Sequence, residues 1–467
     1  MTIESRAASA ASVTDRLDFR RILPVFIIVV IDLLGLTIII PLMPLYATSF
    51  GASAFLIGLL GAAYPVMQFI GAPVLGRLSD RFGRKPILMI SQIGTFAGFL
   101  VLGLANGLWL LFLARALDGI SGANISTAQA VITDVTSPKT RTQGLGLLGA
   151  AFGLGFILGP VIAFVSLALS GNNYHVPALV AAGFSLASVF LTYFLLDETL
   201  PAEQRGKVSG KAGVTLGAMV RALRMPQVGI LLALMFAQQI AFGGFQQLLS
   251  LFTLNRLGLD ASGNAVIFVY VGVIIVAVQG GFIGRWSRRF GERRLIYLGL
   301  GLLALGLTMT ALTPTQPVPW YSRQAVQSEL TAGRSLPGET PPTQSLPVGL
   351  PSDANTGWLG LAFILLAMAP VAIGGGVLQP SLNSLITKRS DPSQVGGMLG
   401  ISAAFLSGAN AVAPVVGGAI FQALGSRAPF LLGGALLAVL FLIALRAIRP
   451  EAEGSPPPIL APAAVSH

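Results

Sequence analysis

The sequence predicts an all-α, polytopic membrane protein with 12 transmembrane helices in two pseudo-symmetric six-helix bundles. Three observations carry this fold class. The composition is too apolar for a water-soluble domain: of 467 residues, 54% are hydrophobic and only 10% charged, against about 25% charged in a typical soluble domain. The apolar residues fall into runs of about 20, enough to cross a ~30 Å hydrocarbon layer as helix, the conformation that satisfies its own backbone there. A charged stretch between two such runs also occurs twice, as GRLSDRFGRKPIL at 76–88 and GRWSRRFGER at 284–293.

The N-terminal tail, 1–21, has mixed charge and lacks the short apolar core and small-residue cleavage site of a signal peptide. The predicted spans, numbered 1 to 12, are 22–46, 55–76, 86–105, 108–133, 142–169, 176–196, 226–252, 263–284, 294–313, 357–386, 396–424 and 428–446. Pro86 suits the first turn of span 3, where its missing N–H costs nothing. With the N-terminus in the cytoplasm, 24 of the 29 Lys and Arg residues fall on the cytoplasmic side, as the positive-inside rule requires. Both termini are therefore expected inside. The polar, basic segment 197–225 reads as a cytoplasmic linker between bundles at 22–196 and 226–447, with a C-terminal tail at 448–467.

The repeat defines those halves. At an offset of 208, Gly76, Arg77 and Ser79 match Gly284, Arg285 and Ser287, and Arg81-Phe82-Gly83 matches Arg289-Phe290-Gly291. Asp80 breaks the match, becoming Arg288. Further on the offset is 254: Ile132-Thr133 matches Ile386-Thr387, Pro138 matches Pro392, and Pro160 matches Pro414. The extra residues belong mainly to 314–356, a segment with eight prolines that reads as an irregular extracytoplasmic insertion. Trp320, Tyr321 and Trp358 are expected to anchor its ends at the membrane interface.

Composition also excludes chemistry. There is no cysteine, and histidine occurs only at 175 and 467, so thiolate sites and histidine metal clusters are not expected. No Ser/His/Asp grouping or phosphate-binding glycine loop is present, so the chain does not read as an enzyme. The net charge of +11 follows the membrane and does not point to nucleic acid.

Two six-helix halves with a basic motif after spans 2 and 8 resemble the major facilitator superfamily, whose signature G-x-L-x-D-R-x-G-R-K fits residues 76–85. Other motifs resemble its twelve-helix drug:proton antiporters, and the tetracycline-efflux-like branch in particular. They are Asp32-x-x-Gly35 followed by Pro41 and Pro44, Arg115-Ala-Leu-Asp118-Gly119 in place of R-x-x-Q-G, and Gly155-x-x-x-Gly159-Pro160. The trailing glycine pair of the last motif is replaced by Ala163 and Phe164. The resemblance implies export of a small amphiphilic compound by alternating access. It also implies a proton gradient as driving force with no cofactor, and a monomer in the bacterial inner membrane whose partners are its substrate and the bilayer. A facilitator of a neutral metabolite such as a sugar is the nearest rival. A non-transporting receptor on the same fold is a more distant one.

Charge deep in a span costs about 2.5–3.5 kcal/mol on insertion scales, so Asp32, Arg115 and Asp118 each need a reason. By helical rise, Asp32 and Asp118 both lie roughly 15 Å from a boundary, near the midplane. Either acid is a candidate proton carrier, with Arg115 tuning it; a static Arg115–Asp118 pair is the alternative. Gln129 is expected on the same stripe of span 4. The second half offers no charged counterpart, since Ala369 and Ala372 stand opposite Arg115 and Asp118. It offers Gln239, Phe242, Gln246, Gln379 and Asn383, and the resemblance implies that spans 1, 4, 7 and 10 line the substrate cavity. Gly155, Gly159 and Pro160 are expected to pack and bend span 5. The resemblance further implies that Gly76, Asp80, Arg81, Gly83 and Arg84 form a conformational latch to span 11, with Gly76 allowing close approach, Gly83 the turn, and the second copy serving mainly as an anchor.

Overall fold

The computed structural model describes residues 19–122, 124–136, 141–205, 216–332, 349–390 and 395–448. Most of both predicted tails, residues 206–215 of the linker, residues 333–348 of the insertion and the matched Pro138/Pro392 lie outside the described residues.

Among the described residues the fold is all-helical. Eleven predicted spans are helices long and apolar enough to cross a membrane. Span 1 is Phe19–Ile39, turning at 40–42 into a short helix, Met43–Ser49. Spans 2 and 3 are Ala54–Phe82 and Arg84–Gly103, spans 5 and 6 Arg141–Ser170 and His175–Leu195, and span 7 Val228–Leu257. Span 8 runs Ala261–Phe290, with a π-helical turn at Ala277–Phe282. Spans 9 to 12 are Glu292–Leu312, Leu359–Lys388, Val395–Leu424 and Ala428–Ala447.

Span 4 departs from expectation. It is two helices, Leu108–Ser121 and Asn124–Val135. A break frees carbonyls, and a freed carbonyl in an apolar layer needs a donor. Side chains supply both: the Ser91 hydroxyl of span 3 donates to the Ser121 carbonyl, and Gln68 of span 2 donates to Gly122 at 2.8 Å.

The motif at 76–88 is likewise not a hairpin loop. Span 2 continues through it to Phe82, and Gly83 alone makes the turn, at φ +112°. The second copy behaves the same way, with Gly291 at φ +76° between spans 8 and 9. Both glycines occupy backbone territory that side chains with a Cβ disfavour.

The chain packs into two compact units. One comprises Met1–Met43, Met67–Lys211 and Ala261–Val269; the other comprises Pro44–Val66, Ala212–Asp260 and Tyr270–His467. The units therefore follow the repeat halves except at Pro44–Val66, which holds most of the short helix after span 1 and the first part of span 2, and at the first turns of span 8. Within the first unit, span 1 packs on spans 5 and 6, and span 3 on spans 4 and 6. Val25, Ile28, Leu33, Leu88, Val131 and Ala151 form its core. Within the second, span 7 packs on spans 11 and 12, and span 9 on spans 10 and 12. The same helix pairings thus recur in both.

In the second unit the outer end of span 2 lies backbone to backbone on span 11. A Cβ on Gly58 would collide with the Pro414 carbonyl, and one on Gly418 with that of Ala54. Phe55 N–H donates to Gln422 at 3.1 Å.

The described parts of the insertion are ordered, contrary to the irregular segment expected. Residues Arg323–Ala332 are helical, and Gln316 accepts from the N–H groups of Leu359 and Gly360 that open span 10. Tyr321 is buried, not interfacial. It lies against Gly258, and its hydroxyl donates to the Pro351 carbonyl at 2.9 Å. Burial and the Asp353 carboxylate beside it push the phenol up to about 12. Trp320 and Trp358 meet edge to face, 5.6 Å apart, and both are well exposed.

Candidate functional site

Two clusters of charged groups stand out in the first unit, one within span 4 and one where span 2 meets span 3. In the membrane, Arg115 Nη1 bonds Asp118 Oδ2 at 3.0 Å, with side chains only 12% and 5% exposed. Asp118 also accepts from the Thr95 hydroxyl of span 3. Small residues make this arrangement possible. A Cβ on Gly98 would lie 3.0 Å from the Asp118 nitrogen, and Gly71 and Gly94 receive Ile120 and Ser121 more closely still. Spans 2 and 3 therefore grip the outer helix of span 4 just where it carries its ion pair.

Asp32 is half-buried on span 1, with Oδ1 shielded from solvent. Its neighbourhood is fixed by the glycines of span 5. Gly155 lies against Leu33, and Gly159 touches Thr37 so closely that no Cβ fits. On the opposite side, Gly35 receives the Phe99 ring. Pro160 sits inside an unbroken helix, leaving the carbonyl one turn earlier without its usual donor. Gln129, expected to share a stripe with Asp118, is exposed on the inner helix of span 4. The break at Gly122 separates it from the helix that carries Asp118.

At the junction of spans 2 and 3, Arg84 is 8% exposed and joins three elements. Its Nη1 bonds Asp80 Oδ1 at 2.6 Å and its Nε bonds Asp134 Oδ2 at 3.0 Å. Glu198, just after span 6, accepts from the backbone N–H groups of Arg84 at 2.9 Å and Lys85 at 3.3 Å. A carboxylate there meets the unpaired donors and positive end of the dipole of span 3. It also fills the space over Gly83 that a Cβ would need. Glu198 escaped the sequence reasoning. Its signal was an acid closing an apolar span opposite a helix that begins without a cap. Arg81 is exposed and lies over the Phe82 ring, 5.3 Å from its centroid. Within its own unit, nothing among the described residues lies within 4 Å of a Cβ placed on Gly76.

The second unit carries the same junction with inverted charge. Glu292 Oε1 is 2.5 Å from Lys388 Nζ and accepts from Ser287 and Ser384 at 3.1 Å each. By the two repeat offsets, Glu292 corresponds to Arg84, Lys388 to Asp134 and Arg288 to Asp80. The second copy is thus more than an anchor, because it ties spans 9 and 10 together as Arg84 ties spans 3 and 4.

Deeper in this unit, amides form a chain across three spans. Gln238 donates to Gln239 at 3.3 Å and to Gln379 at 3.4 Å, and Gln239 donates to Asn410 at 2.7 Å. Phe242 stacks on Phe245, 5.9 Å apart, in space left by Gly375. Gln246 and Asn383 are half-buried, and Asn383 Oδ1 has no hydrogen-bond partner among the described residues. Of the predicted residues, Gln239, Gln379 and Phe242 belong to this assembly. Gln238 and Asn410 join it as the residues that connect them.

Comparisons with known proteins agree with this architecture. The model of the Major Facilitator Superfamily matches residues 25–326 and 350–466, leaving a gap inside the predicted insertion. The tetracycline resistance protein of class B from Escherichia coli is 26% identical over 437 residues, covering 92% of this chain and 96% of that one. The class E protein from Escherichia coli is 31% identical over 306 residues, 64% of this chain and 74% of that one. The crystal structure of the human organic anion transporter MFSD10 superposes with a TM-score of 0.62 at 22% identity, covering 91% and 99% of the two chains. That likeness shows a shared fold. The chain is a multi-pass membrane transporter and belongs to the major facilitator superfamily.

Proposed function

We propose that this transporter exports small amphiphilic compounds of the tetracycline kind in exchange for protons, by alternating access. The observation that carries the proposal is the Arg115–Asp118 pair, held at 3.0 Å and nearly inaccessible to solvent. A charge pair there is expensive to keep. An acid whose proton affinity depends on a neighbouring cation is a means of coupling transport to a gradient. Relatives named for tetracycline resistance support the export direction, because a membrane transporter confers resistance by removing the compound. The amides and rings around Gln239 and Phe242 suit a ligand that is polar but weakly specified in charge. No cofactor enters the proposal, and the protein acts as a monomer in the cytoplasmic membrane with both termini inside.

The test is dye or tetracycline uptake into everted vesicles with and without a proton gradient, for the wild type and for Asp118→Asn and Asp32→Asn. Gradient-driven uptake is expected in the wild type and is lost in at least one variant. Uptake that ignores the gradient in the wild type, or stays coupled in both variants, overturns the proposal. The uncharged amide chain also admits a facilitator of a neutral metabolite; gradient-independent exchange of such a compound would identify it.

A further inference from the structure

The last eight residues of span 8, Ile283–Phe290, carry arginine at 285, 288 and 289, spaced so that all three share one helical face. Beside that face runs an aromatic stripe at 282, 286 and 290. Phe282 and Trp286 stack 5.3 Å apart, Phe282 and Phe290 are 47% and 43% exposed, and Arg289 lies over the Phe290 ring. Arg293 and Arg294 follow on the next helix.

Among the described residues, these arginines lack a counter-charge. In the first unit, the Arg84 guanidinium meets Asp80 and Asp134. In the second, the inverted junction gives its one carboxylate, Glu292, to Lys388. Arg285 donates to the Gly281 carbonyl at 3.0 Å. Among the described residues, none of the five arginines is paired with a carboxylate. A row of cations beside a row of exposed rings, at the end of a membrane span, has the chemistry of a helix that meets the bilayer interface. There the rings enter the acyl boundary and the cations meet phosphate.

We propose that the face bearing Arg285, Arg288 and Arg289, with Arg293, is a binding surface for anionic phospholipid of the cytoplasmic leaflet. Guanidinium groups suit it because each presents a planar pair of donors to phosphate oxygens. The surface stands independently of what the protein transports.

Trp286 reports on the site directly. A variant keeping only that tryptophan (Trp109→Phe, Trp320→Phe, Trp358→Phe) is reconstituted in phosphatidylethanolamine vesicles. These contain, at equal mole fraction, brominated phosphatidylglycerol or brominated phosphatidylethanolamine. Quenching by the anionic lipid is expected to be at least about threefold stronger. Arg288→Gln/Arg289→Gln should abolish that preference while leaving quenching by the zwitterionic lipid unchanged, which shows that the variant is still inserted. As a control, removing two arginines of the first copy, Arg77→Gln/Arg81→Gln, should preserve it. Equal quenching by both lipids overturns the proposal, as does a preference that survives the Arg288/Arg289 change or vanishes with Arg77/Arg81. Inorganic phosphate in the buffer should not compete; if it does, the ligand is a soluble anion and the lipid assignment is wrong.

Discussion

Glu292 and Lys388 meet at 2.5 Å where the first half of the chain sets Arg84 against Asp134 at 3.0 Å. One helix junction is therefore closed twice, with opposite polarity. Single substitutions Glu292→Lys and Lys388→Glu should each lower the melting temperature in detergent, and the double exchange should restore it. Lys388 is 55% exposed, so the recoverable coupling is modest, about 1 kcal/mol or less. No recovery in the double variant would mean that Ser287 and Ser384, not Lys388, hold Glu292.

The Arg115–Asp118 pair separates a static role from a working one. Arg115→Leu leaves a buried carboxylate without its cation and should destabilise by about 3–5 kcal/mol. Arg115→Leu/Asp118→Leu removes both charges and should regain most of that stability. A purely structural pair predicts that the double variant still transports. Proton coupling through Asp118 predicts a folded protein with no gradient-driven uptake.

Packing of span 2 on span 11 depends on Gly58 and Gly418, each of which faces a backbone carbonyl with no room for a Cβ. Gly58→Val or Gly418→Val should hold these outer ends apart and reduce transport strongly. The chain contains no cysteine, so a single cysteine at Phe55 reports the change. Its labelling by a membrane-impermeant maleimide should rise in either variant. Unchanged labelling with normal transport would show that the helices can reseat elsewhere.

Glu198 caps span 3 through two backbone N–H groups. Glu198→Gln should cost about 1 kcal/mol, visible as faster exchange of the Arg84 and Lys85 amides with the rest of the span unaffected.

The insertion should keep its anchor at alkaline pH. The Tyr321 phenol is raised to about 12, so its contribution is fully present below the ordinary tyrosine value near 10. It is lost only as pH climbs through the raised one. Tyr321→Phe should destabilise by roughly 1 kcal/mol, the worth of one hydrogen bond, equally at pH 7 and pH 9.

Sequence patterning was sufficient for the spans, the repeat and the Arg115–Asp118 spacing, because each is a local periodicity. Three features lay beyond it for a common reason: each depends on a partner distant in sequence. The break in span 4 is tolerated because Ser91 and Gln68, on other helices, supply donors. That break puts Gln129 and Asp118 on separate helices. Span 2 runs through its charged end because Arg84, Asp80 and Asp134 neutralise one another, and that cluster becomes visible only once spans 3 and 4 are adjacent. The insertion looked irregular by its prolines, yet Gln316 and Tyr321 tie it to spans 7 and 10. The charge inversion itself was present in the repeat offsets, but Glu292 acquires meaning only beside Lys388.

That inversion bears on how a duplicated sequence keeps its halves distinct. Two copies of one ancestral segment invite exchange between them during recombination, and glycines that match position for position would let the products fold at first sight. The junction residues act against it. A chain in which span 10 took the place of span 4 would set Lys388 against Arg84, and the reciprocal product would set Asp134 against Glu292. Each recombinant would trap like charges at a helix junction, so the polarity of this pair works as a molecular signature of which repeat a segment belongs to.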